Sequence, residues 1–149
     1  MIRAHGLFVA LLAAATAMAP ASAHAAGQDG AGTVRVWVPN TRAVRGTIHV
    51  DVCPAGDFLK PCPYSAQARV RMGGTEIIVR DIPPGLYAIQ LFHDENGNGK
   101  VDRGLFGIPK EGVGFSNNYR ISTHAPRFKD ARFMVGAGET RMTISLQYF

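Results

Sequence analysis

The segment DENGNGKVD, residues 94–102, sets oxygen-bearing side chains at alternate positions around two glycines. Asp94, Asn96, Asn98 and Asp102 stand at positions one, three, five and nine of a calcium loop of the EF-hand kind. Gly99 takes position six, where the chain must turn sharply, and Lys100 at position seven would contribute its backbone carbonyl. Oxygen ligands of this kind suit a hard cation such as calcium. Position twelve is Leu105, where a bidentate glutamate would close the shell, so the expected site is weak unless Glu95 or Glu111 folds in. Its expected dissociation constant is roughly 10⁻⁴ to 10⁻³ M, the range of extracellular calcium modules. Without a cation the same residues build a polar turn, because Asn and Gly tolerate positive φ best. The sequence leaves both readings open.

His93, Asp94 and Glu95 are adjacent, with His124 further along, and a metal-assisted hydrolase would use residues of these types. In a strand, however, His93 and Asp94 point to opposite faces. Ser116, in GFSNN, lacks the strand-turn-helix setting of a nucleophile elbow. No acid, base and nucleophile can be placed together from spacing, so the expectation is a non-enzyme, and a hydrolase acting on an envelope substrate is the alternative.

Cys53 and Cys62 lie in VCPAGDFLKPCPY. Their spacing is neither the C-x-x-C of a redox pair nor half of a zinc site, and a disulfide is the expectation. Closing a loop of about ten residues stabilises the fold by roughly 3 kcal/mol in the chain-entropy account.

The compartment is read from the N-terminus, where Arg3 precedes the apolar run from Leu7 to Ala19 and small residues follow in ASAHAAG. That pattern predicts a signal peptide over residues 1–25, with Ala23, Ala25 or Ala26 as the last residue removed. The run is shorter than the ~20 residues of a membrane span, and no other segment of the mature chain is a candidate. Residues 26–149 then form a single domain, periplasmic or secreted. The whole chain of 149 residues carries a formal net charge of +5, but its cations are scattered instead of forming a stripe. With export as well, nucleic acid is not an expected partner.

The elements that must position these residues show a period of two. TVRVWV puts Val34, Val36 and Val38 on one face, leaving Trp37 on the other, and TIHVDV repeats this with Ile48, Val50 and Val52. Ala68, Val70 and Met72 alternate with Arg69 and Arg71; TEIIVRDI follows, then GLYAIQLF with Tyr87, Ile89 and Leu91 together. DARFMV groups Ala131, Phe133 and Val135, and TRMTISLQYF groups Met142, Ile144, Leu146 and Tyr148. About seven short strands without a helical period predict an all-β fold, an antiparallel β-sandwich. In DIPPGLY, Pro84 and Gly85 are expected to form a type II turn, with Tyr87 bonding back across the corner.

One long, glycine-rich segment, residues 103–127, breaks the rhythm. Loops of this length inside a compact domain tend to be functional, and an ordered binding loop packed by Phe106, Ile108 and Phe115 is expected. Its candidate binding residues are Phe106, Lys110, Glu111, Phe115, Asn117, Asn118 and Tyr119.

PPGLYAIQLFHDENGNGKVD, then FGIPKEGVGFSNN and PRFKDARFMV, resemble the bacterial secreted family labelled domain of unknown function 2141 over most of the mature chain. The proline-glycine turn, its tyrosine strand and D-x-N-G-N-G are also similar to prealbumin-like, Ig-like and calcium-binding B-repeat sandwich modules. The resemblance implies a periplasmic or surface sandwich and leaves activity open. The expected function is a non-catalytic module that binds a protein or glycan of the cell envelope. A cation or a side-chain hydrogen-bond network would stiffen loop 94–102, and that loop would set the shape of the segment beyond it.

Overall fold

The computed structural model describes residues 30–122 and 124–149. The expected signal peptide therefore lies outside the described residues. The expected sandwich is present, with eight strands instead of about seven: β1 Gly32–Val38, β2 Thr47–Cys53, β3 Tyr64–Arg69, β4 Thr75–Ile82, β5 Gly85–Asp94, β6 Val113–Phe115, β7 Arg132–Val135 and β8 Gly138–Thr143. A three-stranded sheet has the order β4-β1-β8. A five-stranded sheet has the order β3-β2-β5-β6, with β7 also paired to β5. β6 and β7 lie end to end along one edge of β5, the first opposite Gln90 to Phe92 and the second opposite Gly85 to Ala88.

Alternation decides what faces inward. Val34, Val36, Val38, Ile48, Val50, Val52 and Ile89 are all 0% exposed and meet between the sheets, each apolar side chain contributing roughly 1.5–3 kcal/mol on burial. Tyr87, Leu91 and Ile144 join this core, as their positions on alternating runs predict, together with Ile77, Val79, Ile82, Val135 and Leu146.

Four details differ from the sequence reading. β8 runs parallel to β1, not antiparallel, because the chain leaves β7 in one sheet, crosses to the other and so arrives without a hairpin partner. β3 starts earlier and stops at Arg69, so Met72 lies exposed in the turn that follows. Ala131 closes a one-turn helix, α1 Phe128–Ala131, before β7 begins. Gly85 does not take positive φ; Asp81 does, at 59°, where β4 bulges against β1. Gly85 is instead fitted to Tyr87, whose ring would stand 3.2 Å from an added Cβ. The Tyr87 hydroxyl donates to the Pro83 carbonyl at 3.0 Å, the backward bond expected of this corner.

The outer face of the five-stranded sheet is also partly buried. Cys53, Ala88, Val113 and Phe115 project from it and are covered by Phe58, Ala131 and Phe128 in a second, smaller core. The Cys53–Cys62 disulfide pins the loop that carries Phe58 onto this face. The rest of the face stays open, and the candidate site lies there.

Candidate functional site

Loop 94–102 leaves the end of β5 and folds around one carboxylate. Asp94 is 2% exposed; its Oδ1 accepts the N–H groups of Gly97 at 2.7 Å and Asn98 at 3.1 Å, and its Oδ2 accepts that of Gly99 at 2.8 Å. Burial alone would raise the Asp94 carboxyl, but these three N–H donors, with His49 beside it, hold it below its ordinary value. The His49 Nε2 stands 3.5 Å from Oδ2. The positive φ values belong to Gly97 and Gly99, at 76° and 75°, while Asn96 and Asn98 keep ordinary backbone and use their side chains.

Those side chains converge on the other carboxylate. The amides of Asn96 and Asn98 donate to Asp102 at 2.7 and 2.9 Å, and their own oxygens accept the backbone N–H groups of Asn98 and Lys100. Glu111, 4% exposed, folds in as the twelfth-position vacancy invited, but onto nitrogen: it accepts the N–H groups of Glu95 at 2.9 Å and Asp102 at 3.0 Å. The side-chain oxygens of Asp94, Asn96, Asn98 and Asp102 that the calcium reading assigns to a cation are therefore accepting N–H groups. Among the described residues no three of His, Cys, Asp and Glu gather closely enough to hold a metal ion. Lys100 points its side chain to the surface, where it lines the cleft described below.

Behind the loop lies a second network. Glu95 accepts from Arg42 at 2.6 Å and Arg45 at 3.0 Å; burial would raise its carboxyl, and the two guanidinium groups overrule burial and hold it down. Arg42 also lies over the Tyr148 ring and donates to the Lys110 carbonyl. The Tyr148 hydroxyl accepts the Arg42 N–H and donates to His93 Nδ1 at 2.9 Å, which leaves His93 Nε2 to donate to the Arg45 carbonyl at 2.7 Å. Gly46 must be glycine here, with φ at 74° and the Asp94 carbonyl 2.0 Å from where a Cβ would sit.

Beside this scaffold the open part of the sheet face forms a cleft of about 1010 Å³. Its floor comes from outward positions of β2 and β5. His49 and Phe92, cross-strand partners, stack with ring centroids 4.7 Å apart and 6° between planes. At one end Asp51 accepts from Gln90, and Gln90 holds the disulfide loop by accepting the Leu59 N–H and donating to the Lys60 carbonyl. Burial raises the Asp51 carboxyl, against the lowering effects of Gln90 and His49. At the other end stand Lys100, Arg103, Phe106 and Ile108, with Phe149 also on the lining.

Residues 36–143, from within β1 to the end of β8, match the family described as "Uncharacterized protein conserved in bacteria", domain of unknown function 2141. The chain belongs to this family. Searches of the curated proteins and of the solved structures find no match. The matched span of this family member includes the disulfide, loop 94–102 and nearly all of the cleft lining.

The expected binding segment is not one loop. It contains a 3-10 turn at Leu105–Gly107, the strand β6 and a second 3-10 turn at Ser116–Asn118. Phe106 and Ile108 do not pack it; they are exposed, and Phe115 alone of the three is buried. Phe106 lines the cleft, and Phe115 lies in β6 at its inner wall. Lys110 is exposed and its carbonyl holds Arg42, whereas Glu111 closes the acidic loop. Asn117 donates to the carbonyls of Asp130 and Arg132, and Asn118 ties to Thr143 and Ser145, so these two fasten β6 to the strands that follow. Tyr119 stands 3.2 Å from His124 and gives its carbonyl to Gln147. Ser116 is buried, accepting from the Ile89 N–H and donating to the Ala131 carbonyl.

Sequence reasoning did not single out His49, Asp51, Gln90, Phe92, Leu59 or Lys60 as cleft residues. A signal was there: alternation sets His49 and Asp51 outward on β2 and Gln90 and Phe92 outward on β5.

Proposed function

We propose that this chain is a non-catalytic binding module of the cell envelope whose ligand seats in the cleft on the outer face of the five-stranded sheet. The cleft carries this reading: it combines a mostly apolar lining with a few polar groups held in place by strand and disulfide, the form that small-ligand sites take. Loop 94–102 enters as a clamp closed by its own hydrogen bonds. Through Glu111 it fixes the start of β6, and through Lys100 and Val101 it forms one cleft wall. Calcium would enter this clamp with the Asn96 and Asn98 amides turned so that their oxygens, not their N–H groups, face Asp102 across the cation. Export is supported by the N-terminal pattern and agrees with the disulfide.

The non-catalytic reading is supported by two residues that a hydrolase would use: His93 is 0% exposed between Tyr148 and Arg45, and Ser116 is likewise 0% exposed. The test is an amide-resolved NMR titration of the mature chain with an extract of its own envelope. Shifts clustered on Gln90, Phe92, Lys100 and Phe106 are expected. Shifts confined to another surface, or turnover of any of a panel of esters, peptides and glycosides, would overturn the proposal.

A further inference from the structure

The two ends of the cleft each present a large apolar side chain on strained backbone. Leu59, at the tip of the disulfide loop, has φ 67° and is 47% exposed; Phe106, in the turn after β5, has φ 56° and is 93% exposed. A left-handed conformation costs a residue with a Cβ about 1–2 kcal/mol, and exposing its apolar surface costs more. Packing among the described residues leaves Phe106 almost bare and about half of Leu59 uncovered. Strain of this sort gathers where a ligand is clamped. Both side chains line one cleft, from opposite ends, with Ile108 and Phe149 adding exposed apolar surface at 49% and 54%.

Cations line both ends, two at the Phe106 end and one at the Leu59 end. Lys100 and Arg103 lie at the Phe106 end, and Lys60 lies on the disulfide loop; none of the three forms an ion pair among the described residues. Among the described residues the one acidic side chain on the lining is Asp51, placed beneath the disulfide loop at the end away from Lys100 and Arg103. A ligand that satisfies both features has an anionic head between Lys100 and Arg103 and an apolar body that runs over the His49–Phe92 stack toward Leu59. The volume stands at the top of the ~300–1,000 Å³ usual for small-ligand clefts, more than a single ring fills. Concavity favours a monomeric ligand over a bilayer surface, which would meet a convex or flat apolar patch.

Building on the cleft reading, we propose that the ligand is a free long-chain carboxylate. Its head pairs with Lys100 and Arg103, and Leu59 and Phe106 close on its chain.

The experiment is calorimetric titration of the mature, disulfide-intact chain with laurate below its micelle concentration, with dodecyltrimethylammonium as a cationic amphiphile of equal chain length. Phosphatidylglycerol vesicles form a separate arm. Laurate is expected to bind at least tenfold more tightly than the cationic amphiphile. Its affinity should fall at least tenfold in the double variant Lys100→Ala with Arg103→Ala, and also in Phe106→Ser, whose melting temperatures should match the parent because all three side chains are exposed. Equal affinity for both amphiphiles, binding to vesicles but not to laurate, or laurate binding that survives both variants would each overturn the assignment. If laurate shifts no cleft amide while the envelope extract does, the ligand class falls and the cleft reading stands. If neither shifts a cleft amide, both fall.

Discussion

Two neighbouring segments of this chain, 94–102 and 103–109, differ in how their side chains are used. In the first, the carboxylates are occupied: Asp94, Asp102 and, reaching in from beyond the segment, Glu111 accept seven hydrogen bonds between them, all from nitrogen of the same chain. In the second, Leu105, Phe106 and Ile108 are 78%, 93% and 49% exposed, and Phe106 sits in a conformation that its type resists. On the clamp reading proposed above, the segment that looks like a site from its residue types is the support. Its plainer neighbour is left with surface to offer. Residue types announce what chemistry is possible, but only the tally of partners shows whether that capacity is still available.

The strongest way to break this comparison is to remove the carboxylate at the centre of the first segment. Asp94→Ala leaves three N–H groups without their acceptor, and the expected loss is about 3 kcal/mol, a fall of roughly 10 °C in melting temperature. The clamp reading expects the same loss in calcium and in chelator. A loss seen in calcium alone would make the segment a cation site and reverse its role. Glu111→Ala should follow at about 2 kcal/mol, because two N–H donors are orphaned. Glu111→Gln keeps one acceptor oxygen and should lose about half as much; equal losses from the two variants would show that the side chain's packing, not its hydrogen bonds, matters.

Titration separates the clamp from the cleft floor. Asp94 and Glu95 have carboxyls held below their ordinary values, so the unfolded chain binds more protons than the folded one near them. Their contribution is present above the unfolded values of about 3.9 and 4.3 and is lost as pH falls through the lower folded values. Asp51 has the opposite sign. Its raised carboxyl keeps a proton in the folded state, so stability falls as pH rises from about 3.9 through the folded value. Denaturation midpoints measured from pH 7 down to pH 2 should therefore drop steeply at the acid end. Asp94→Asn should flatten that drop, while Asp51→Asn should remove only the shallower slope above it.

The comparison also explains what the sequence could and could not reveal. The sandwich was legible because half-buried strands print their period: Val34, Val36 and Val38, or Ile48, Val50 and Val52, need only one assumption, that apolar residues share a face. β6 was hidden because three residues, two of them flanking Gly114, are too few to show alternation. The parallel pairing of β8 was hidden because direction depends on where the chain crosses between sheets, which is a property of the whole path. At the site, the oxygen-rich segment was legible as a unit, but its partners were not, since Glu111 and His49 reach it from other elements. The cleft itself is a gap between Phe58's cover and loop 94–109, and a gap is set by what packs beside it.

The smallest effect on stability gives the sharpest contrast. Leu59→Gly relieves a positive φ at a solvent-facing position, a gain that the greater freedom of glycine in the unfolded chain partly cancels. The expected net change is within about 0.5 kcal/mol of zero, on the stabilising side. The Leu59 N–H bond to Gln90 is made by the backbone and survives the change, so the disulfide loop keeps its place. Binding should nonetheless weaken several-fold, because the variant loses the apolar tip at one end of the cleft. Chemical denaturation and the laurate titration, run on the same sample, separate the two effects. If stability and affinity both fall, Leu59 belongs with the support, like Asp94. If stability holds while affinity falls, the strain at residue 59 is maintained for something outside the chain, which is the distinction between the two segments expressed at a single residue.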